Sequence, residues 1–348
     1  MLIARAILQR EPSAEITLVT GVAARPQWLA DPRISVVTVP PLLKGDDGSY
    51  RHAHLPFEAA LAERARCFEA VIEHVRPDAV LVDRHPFGTA GELRRGLATA
   101  KDLGASVVLG LRDIIDEPGA VALEFAGEGW ADVDRVFDAV LVYGERWLCD
   151  HVEEYGLAVR PQYCGWVCEA VAPVPYDPRR IAVAAGGGAD GSSVLRLGLG
   201  LLRARPWFRG SVVAGPYARD TVGLGSEIAE RVSFVAPQDG CAALYAGVGA
   251  VIQMAGYNST LEALAAGVRP ILVPRRSPRR EQAIRACRLA AVGLADVVDE
   301  TADPEEVAWL LDRPRRFNPS TLIDAHVRLD GASRAADAIS RLIKIGAS

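Results

Sequence analysis

The clearest chemistry in this 348-residue chain lies between Gly256 and Gln282. Asn258, Ser259 and Thr260 follow Gly256 and read as the opening of a helix, with Glu262 in its first turn. A helix start exposes unpaired N–H groups and a partial positive charge, which together attract phosphate. A carboxylate a little further in can accept two hydrogen bonds from a diol. Beyond a short apolar run, Glu281 and Gln282 form a second polar pair suited to sugar hydroxyls. The set suits a nucleotide-sugar, with diphosphate on the helix end, ribose on Glu262 and sugar on Glu281–Gln282. Each residue also has a plainer reading. Ser259 and Thr260 can simply cap the helix, Glu262 can be an acid favoured by the helix dipole, and Gln282 can be an exposed amide.

These residues need strands to place them. Apolar runs 250–254 and 270–274 flank the helix, and similar runs alternate with helical segments along the whole chain. Alternation of this kind predicts parallel α/β units. In the first half the strands fall at 16–20, 35–39, 79–83, 106–111 and 139–143, with helices at 56–74, 88–103 and 147–155. Pro173, Pro175 and Pro178 mark a linker, since proline removes a donor and fixes the backbone. The second half restarts at 181–185 and continues with strands at 211–214, 232–235, 250–254, 270–273 and 296–298, ending in a helix at 332–345. Gly186, Gly187 and Gly188 follow the first of these strands and permit close backbone approach to a ligand. The next strand ends Val213-Ala214-Gly215-Pro216 without an acid, which disfavours dinucleotide binding.

With these motifs in place, the chain resembles glycosyltransferases of the GT-B fold. It is most similar to the branch (glycosyltransferase family 28-like) containing the lipid II-forming N-acetylglucosaminyltransferase and its bacterial relatives. The resemblance rests on Gly256, Ser259 and Glu262 at family spacing, on Ile271-Leu272-Val273-Pro274 before Glu281-Gln282, and on the Gly186–Gly188 loop. RPDAVLVDRHPFG (76–88) and VVLGLRDIIDEP (107–118) carry it into the first half. It implies two facing Rossmann-like α/β domains with parallel sheets and a cleft between them. The acceptor-side domain would span residues 1–172, the linker 173–179, the donor domain 180–331, and a helix crossing back 332–348. It also implies metal-independent, inverting transfer of a sugar from a UDP- or dTDP-linked donor to an acceptor hydroxyl. The donor site would comprise Gly186, Gly187, Gly188, Gly256, Asn258, Ser259, Thr260, Glu262, Glu281 and Gln282, with the backbone at Val235 meeting the nucleobase. There is one departure: the family's opening strand and Gly-rich, His-bearing turn do not precede the first helix here.

The catalytic base is therefore sought among crevice-facing positions after strands. His85 and Asp113 are the candidates, with His52 and His54 as alternatives. A neutral imidazole at His85 could take the proton of an acceptor hydroxyl. Asp83–Arg84 and Arg112–Asp113 read equally well as structural ion pairs.

Bulk properties narrow the partners. A net charge of −5 argues against nucleic acid. The exception is the basic run Arg275-Arg276-Ser277-Pro278-Arg279-Arg280, read as a solvated loop or as a site near phosphate or an anionic acceptor. No run approaches the ~20 apolar residues of a membrane span, though a peripheral membrane contact stays open. No secretory signal is evident, and six scattered cysteines without a CxxC pair suit a reducing, cytoplasmic setting rather than zinc. No cofactor beyond the donor and no metal is expected. The acceptor is a small molecule, glycolipid or specialised metabolite. A nucleotide-sugar epimerase and an inactive nucleotide-sugar-binding protein are the alternatives.

Overall fold

The computed structural model describes residues 1–44, 50–185, 191–213, 226–235, 240–317 and 319–346. The chain divides into two compact units. Unit 1 holds residues 1–113, 118–167 and 330–348, and unit 2 holds 114–117 and 168–329.

Unit 1 opens with α1 (Leu2–Arg10), β1 (Ile16–Thr20) and β2 (Ile34–Thr38). It continues through α2 (Phe57–Val75), β3 (Ala79–Asp83), α3 (Arg94–Asp102), β4 (Ser106–Arg112), β5 (Ala139–Tyr143) and β6 (Gln162–Tyr163). Strands β3-β4-β5-β6 form one parallel sheet, and β1-β2 form a separate parallel pair. β4 and β5 are near-continuous apolar runs, as buried parallel strands are. Val107, Val108, Leu109, Leu111, Leu141 and Val142 are fully enclosed. Each such side chain contributes ~1.5–3 kcal/mol by leaving water. β1 and β3 have equally apolar sequences but stay half-exposed, and Leu81 keeps 37% of its surface. The cause is pairing: each lies at the edge of its sheet, and both border one cavity of about 300 Å³.

Unit 2 holds β7 (Asp177–Ala184), α4 (Ser192–Ala204), β8 (Arg209–Val213), β9 (Val232–Val235) and β10 (Val248–Gln253). They are followed by α5 (Tyr257–Ala265), β11 (Ile271–Leu272), α6 (Glu281–Ala291) and β12 (Asp296–Val297). The six strands pair in parallel in the order β9-β8-β7-β10-β11-β12. Ile181 and Val183 of β7, Leu197 and Leu201 of α4, Val212, Ile252 and Ile271 fill one core. Gly198 lets α4 lie close on β7, because a Cβ there would come within 2.6 Å of Val183 Cγ1. The last helix, α7 (Gly331–Gly346), groups with unit 1. It packs on α1 and β4, with Arg10 reaching both Asp337 and Ser333.

Three local expectations are corrected. The helix read from residue 88 begins only at Arg94, because Gly88 and Gly91 both adopt φ +82. Residues 147–155 form turns and no helix. The Asp150 carboxylate there accepts from the Val152 and Glu153 amides, a local bond that competes with helical pairing. The proline-rich linker yields to strand at Asp177, which pairs with Val248.

Candidate active site

The α5 end is assembled from beneath. Gly256 is its N-cap, in extended conformation, and the helix begins at Tyr257. The helix therefore opens a residue earlier than the sequence reading placed it, and Glu262 lies in the second turn. No side chain caps it. The Ser259 hydroxyl points back to the Gly256 carbonyl at 3.4 Å, and Thr260 is buried with no hydrogen-bond partner for Oγ1 among the described residues. The capping reading of Ser259 and Thr260 thus fails. An α-helix leaves its first N–H groups without internal partners, so this end keeps its anion affinity. A Cβ at Gly256 would meet only Ser259 Oγ, at 3.4 Å. The protein's own atoms do not require glycine there, and a ligand can approach the backbone.

Buried groups fix this end in place. Gln253, the last residue of β10, donates from Nε2 to the Ser259 carbonyl at 3.0 Å and accepts from the Tyr245 hydroxyl at 2.7 Å. Both side chains are fully enclosed, and burial holds the Tyr245 phenol far above its usual range, so it stays a donor. Arg285 of α6 donates to the Ala255 carbonyl at 2.8 Å. At the opposite end of α5, half-buried Arg316 donates to the carbonyls of Tyr245, Ala246 and Ala266, joining the C-terminal ends of α5 and the short helix Ala242–Ala246.

Ser259 and Glu262 are three residues apart on α5 and so share a face. Glu262 is half-buried, and its Oε2 accepts from the Cys241 amide at 2.8 Å. Burial raises its carboxyl above the usual carboxylate range; the Cys241 amide opposes this, and Glu169 adds to it. Gly240, at φ +107, brings the chain so near that a Cβ would lie 2.9 Å from Glu262 Oε1. This Gly240–Cys241 cradle was not read from the sequence. A glycine beside a cysteine in a loop carries no signal of what it will wrap. Burial also pushes the Cys168 thiol, near Glu262, up to about 12, and raises that of Cys241. None of the six cysteines forms a disulfide.

Glu281 and Gln282 are the first residues of α6. Gln282 is buried at 7% exposure, which corrects its reading as an exposed amide. Its Oε1 accepts from the Arg275 amide at 3.4 Å, while the Arg275 guanidinium pairs with Glu281 Oε1 at 2.9 Å. The basic run is largely exposed, as a solvated loop would be, but its arginines are paired. Arg276 pairs with Asp299 at 2.9 Å, Arg279 lies 3.9 Å from Asp116, and Arg280 pairs with Glu117 at 3.2 Å. Val235 ends β9, the edge strand of the sheet. Gly186, Gly187 and Gly188 lie outside the described residues.

In unit 1, His85 stands two residues beyond β3 and lines the cavity together with Thr20, Gly21 and Asp83. Asp113 follows β4, is 1% exposed, and accepts from the Trp166 indole at 3.0 Å. His52 accepts from the His54 and Leu55 amides in an exposed loop. Among the described residues no cluster of His, Cys, Asp or Glu could hold a metal ion, and no helix is long and apolar enough to cross a membrane.

Neither a protein-family model nor a curated protein sequence matches the chain. Solved structures do. MurG from Acinetobacter baumannii aligns at a TM-score of 0.56 with 16% identity, over 99% of this chain and 94% of that one. The glycosyltransferase SnogD from Streptomyces nogalater aligns at 0.59 with 20% identity, over 99% and 94%. UGT89C1 from Arabidopsis thaliana, complexed with UDP, aligns at 0.61 with 14% identity, over 98% and 95%. With its two parallel-sheet units, the chain has the GT-B fold of these glycosyltransferases.

Proposed function

We propose that unit 2 binds a UDP- or dTDP-linked sugar and that the protein transfers the sugar, with inversion and without a metal ion, to an acceptor hydroxyl. The observation that carries this reading is the pairing of the open α5 end with half-buried Glu262 on the same face. The diphosphate sits on the α5 amides, and the ribose diol hydrogen-bonds to Glu262. The sugar meets Glu281 and Gln282, and the backbone at Val235 meets the base. Gly186, Gly187 and Gly188, outside the described residues, are assigned to the phosphate by the sequence resemblance alone.

In the transfer step the acceptor oxygen forms its bond to the anomeric carbon as the bond to diphosphate breaks. The electron pair leaves with the nucleoside diphosphate. The helix end stabilises the charge that develops there, which is the role a divalent cation would otherwise fill. The hydroxyl proton goes to a base, for which His85 is the candidate because it borders a cavity. Asp113, enclosed and bonded to an indole, is better suited to holding the end of β4.

The test combines UDP-glucose, UDP-N-acetylglucosamine or dTDP-glucose with small-molecule and glycolipid hydroxyl acceptors, with and without EDTA. Acceptor-dependent release of nucleoside diphosphate, unchanged by EDTA, is the expected result. Loss of release with EDTA removes metal independence. A new nucleotide-sugar formed without acceptor identifies an epimerase, and no nucleotide binding by calorimetry refutes the reading.

A further inference from the structure

We propose that Asp116 is a positioning residue for the donor-sugar subsite, holding the start of α6 so that Glu281 and Gln282 face the sugar; this rests on the function proposed above. Ile114–Glu117 follows β4 of unit 1 in sequence but groups with unit 2. Ile114 and Ile115 are buried at 2% and 6% exposure, which pins the segment. The next residue, Asp116, presents its carboxylate to the α6 N-terminus, and Oδ1 accepts from the Arg280 amide at 2.8 Å. Arg280 is the N-cap residue of α6, and its own side chain makes no capping bond. Asp116 therefore does from elsewhere in the chain what the third-residue carboxylate of a capping box does locally, accepting from the N-cap amide, and its charge complements the helix dipole. Arg279 lies 3.9 Å from the same carboxylate, and the Arg280 side chain pairs with the neighbouring Glu117.

The consequence falls on the two residues that follow. Gln282 is held by the Arg275 amide, and Glu281 Oε1 by the Arg275 guanidinium. Glu281 Oε2 is buried and has no hydrogen-bond partner among the described residues. A buried carboxylate oxygen left unpaired is costly, and a hydroxyl or amino group of a hexose would satisfy it. Rotation or fraying of the first turn of α6 would misdirect that oxygen. The cap opposes such fraying, and Asp116 supplies it.

The experiment measures calorimetric affinities for UDP and UDP-glucose, repeated with UDP-N-acetylglucosamine and the dTDP pair. The wild type is compared with Asp116→Ala, Asp116→Asn and Glu117→Ala, and hydrogen exchange is followed at the amides of 282–284. Removing a cap corresponds to roughly a fivefold loss. Asp116→Ala is expected to leave UDP affinity within about twofold and to weaken UDP-sugar relative to UDP by about fivefold, with faster exchange at 282–284. Asp116→Asn still accepts from the Arg280 amide and restores most of the ratio. Glu117→Ala, which loses only an exposed ion pair, changes neither quantity. Should Asp116→Ala not fold, Asp116→Ser, too short to reach Arg280, replaces it. Equal weakening of UDP and UDP-sugar, or an unchanged ratio with unchanged exchange, overturns the inference while the nucleotide site stands. If wild type binds no nucleotide, the function reading fails and this assignment falls with it.

Discussion

Glu262 offers the sharpest test of the nucleotide reading. Its carboxylate is half-buried, with one oxygen already accepting from the Cys241 amide. Two hydroxyls of a ribose would add bonds to a charged acceptor, each worth ~1.5–3 kcal/mol. Replacing Glu262 with Ala removes both, and a loss of ~3 kcal/mol corresponds to roughly 150-fold weaker UDP binding. Glu262→Gln keeps one acceptor oxygen and is expected to lose about tenfold. The pH dependence provides an independent arm. Burial raises the folded carboxyl above its ordinary value of 4.5. The nucleotide favours the ionised form, so affinity falls as pH drops through the raised folded value, which lies above the unfolded one. Stability of the nucleotide-free protein moves the other way. A raised folded value means the folded state holds its proton longer. The stabilisation is thus complete below the unfolded value and is lost as pH rises through the folded one. Calorimetric titration of UDP from pH 4.5 to 8 measures the first effect, and denaturant unfolding over the same range measures the second. Glu262→Gln does not titrate at this position, so the difference between the two profiles isolates the carboxylate from the terminal phosphate of UDP, which itself titrates at about 6. Binding by Glu262→Ala within about twofold of wild type, or superimposable pH profiles for wild type and Glu262→Gln, would refute the ribose assignment.

Other perturbations separate site from scaffold. Gly240→Ala places a methyl 2.9 Å from Glu262 Oε1 at a φ of +107, so it should lower stability by ~1–3 kcal/mol and weaken UDP binding together, read by thermal melts and calorimetry. Asp296 pairs at 2.7 Å with Arg315, whose side chain is only 3% exposed. Asp296→Asn should therefore cost ~3–5 kcal/mol in urea unfolding by leaving a buried cation uncompensated. A change under about 1 kcal/mol would show that the Arg269 and Leu310 carbonyls, which also accept from Arg315, suffice to hold its cation.

Strand positions were legible wherever apolar runs ended in polar or glycine residues. Ile16–Thr20, Ala79–Asp83, Ala139–Tyr143 and Val232–Val235 fall where their runs of β-branched and apolar residues place them. The Glu281–Gln282 pair was placed after a strand by the family resemblance alone, and the structure makes it the start of α6. The helix expected at 147–155 was misread for a local reason: the Asp150 side chain competes for the amides a helix would use.

Pattern and spacing along the chain therefore determined the α/β class, the position of α5 and the residue types of the candidate donor site. What they could not determine is which groups are already spoken for. Whether Glu262 has a free oxygen depends on Cys241, 21 residues away, and the orientation of Glu281 depends on Arg275 and on Asp116, which lies 164 residues before Arg280. Likewise, β1 and β3 have core-type sequences with edge-type exposure, because burial is set by neighbouring strands. Periodicity is a local property of the backbone, whereas hydrogen-bond partnership and burial are properties of segments that meet only when the chain folds.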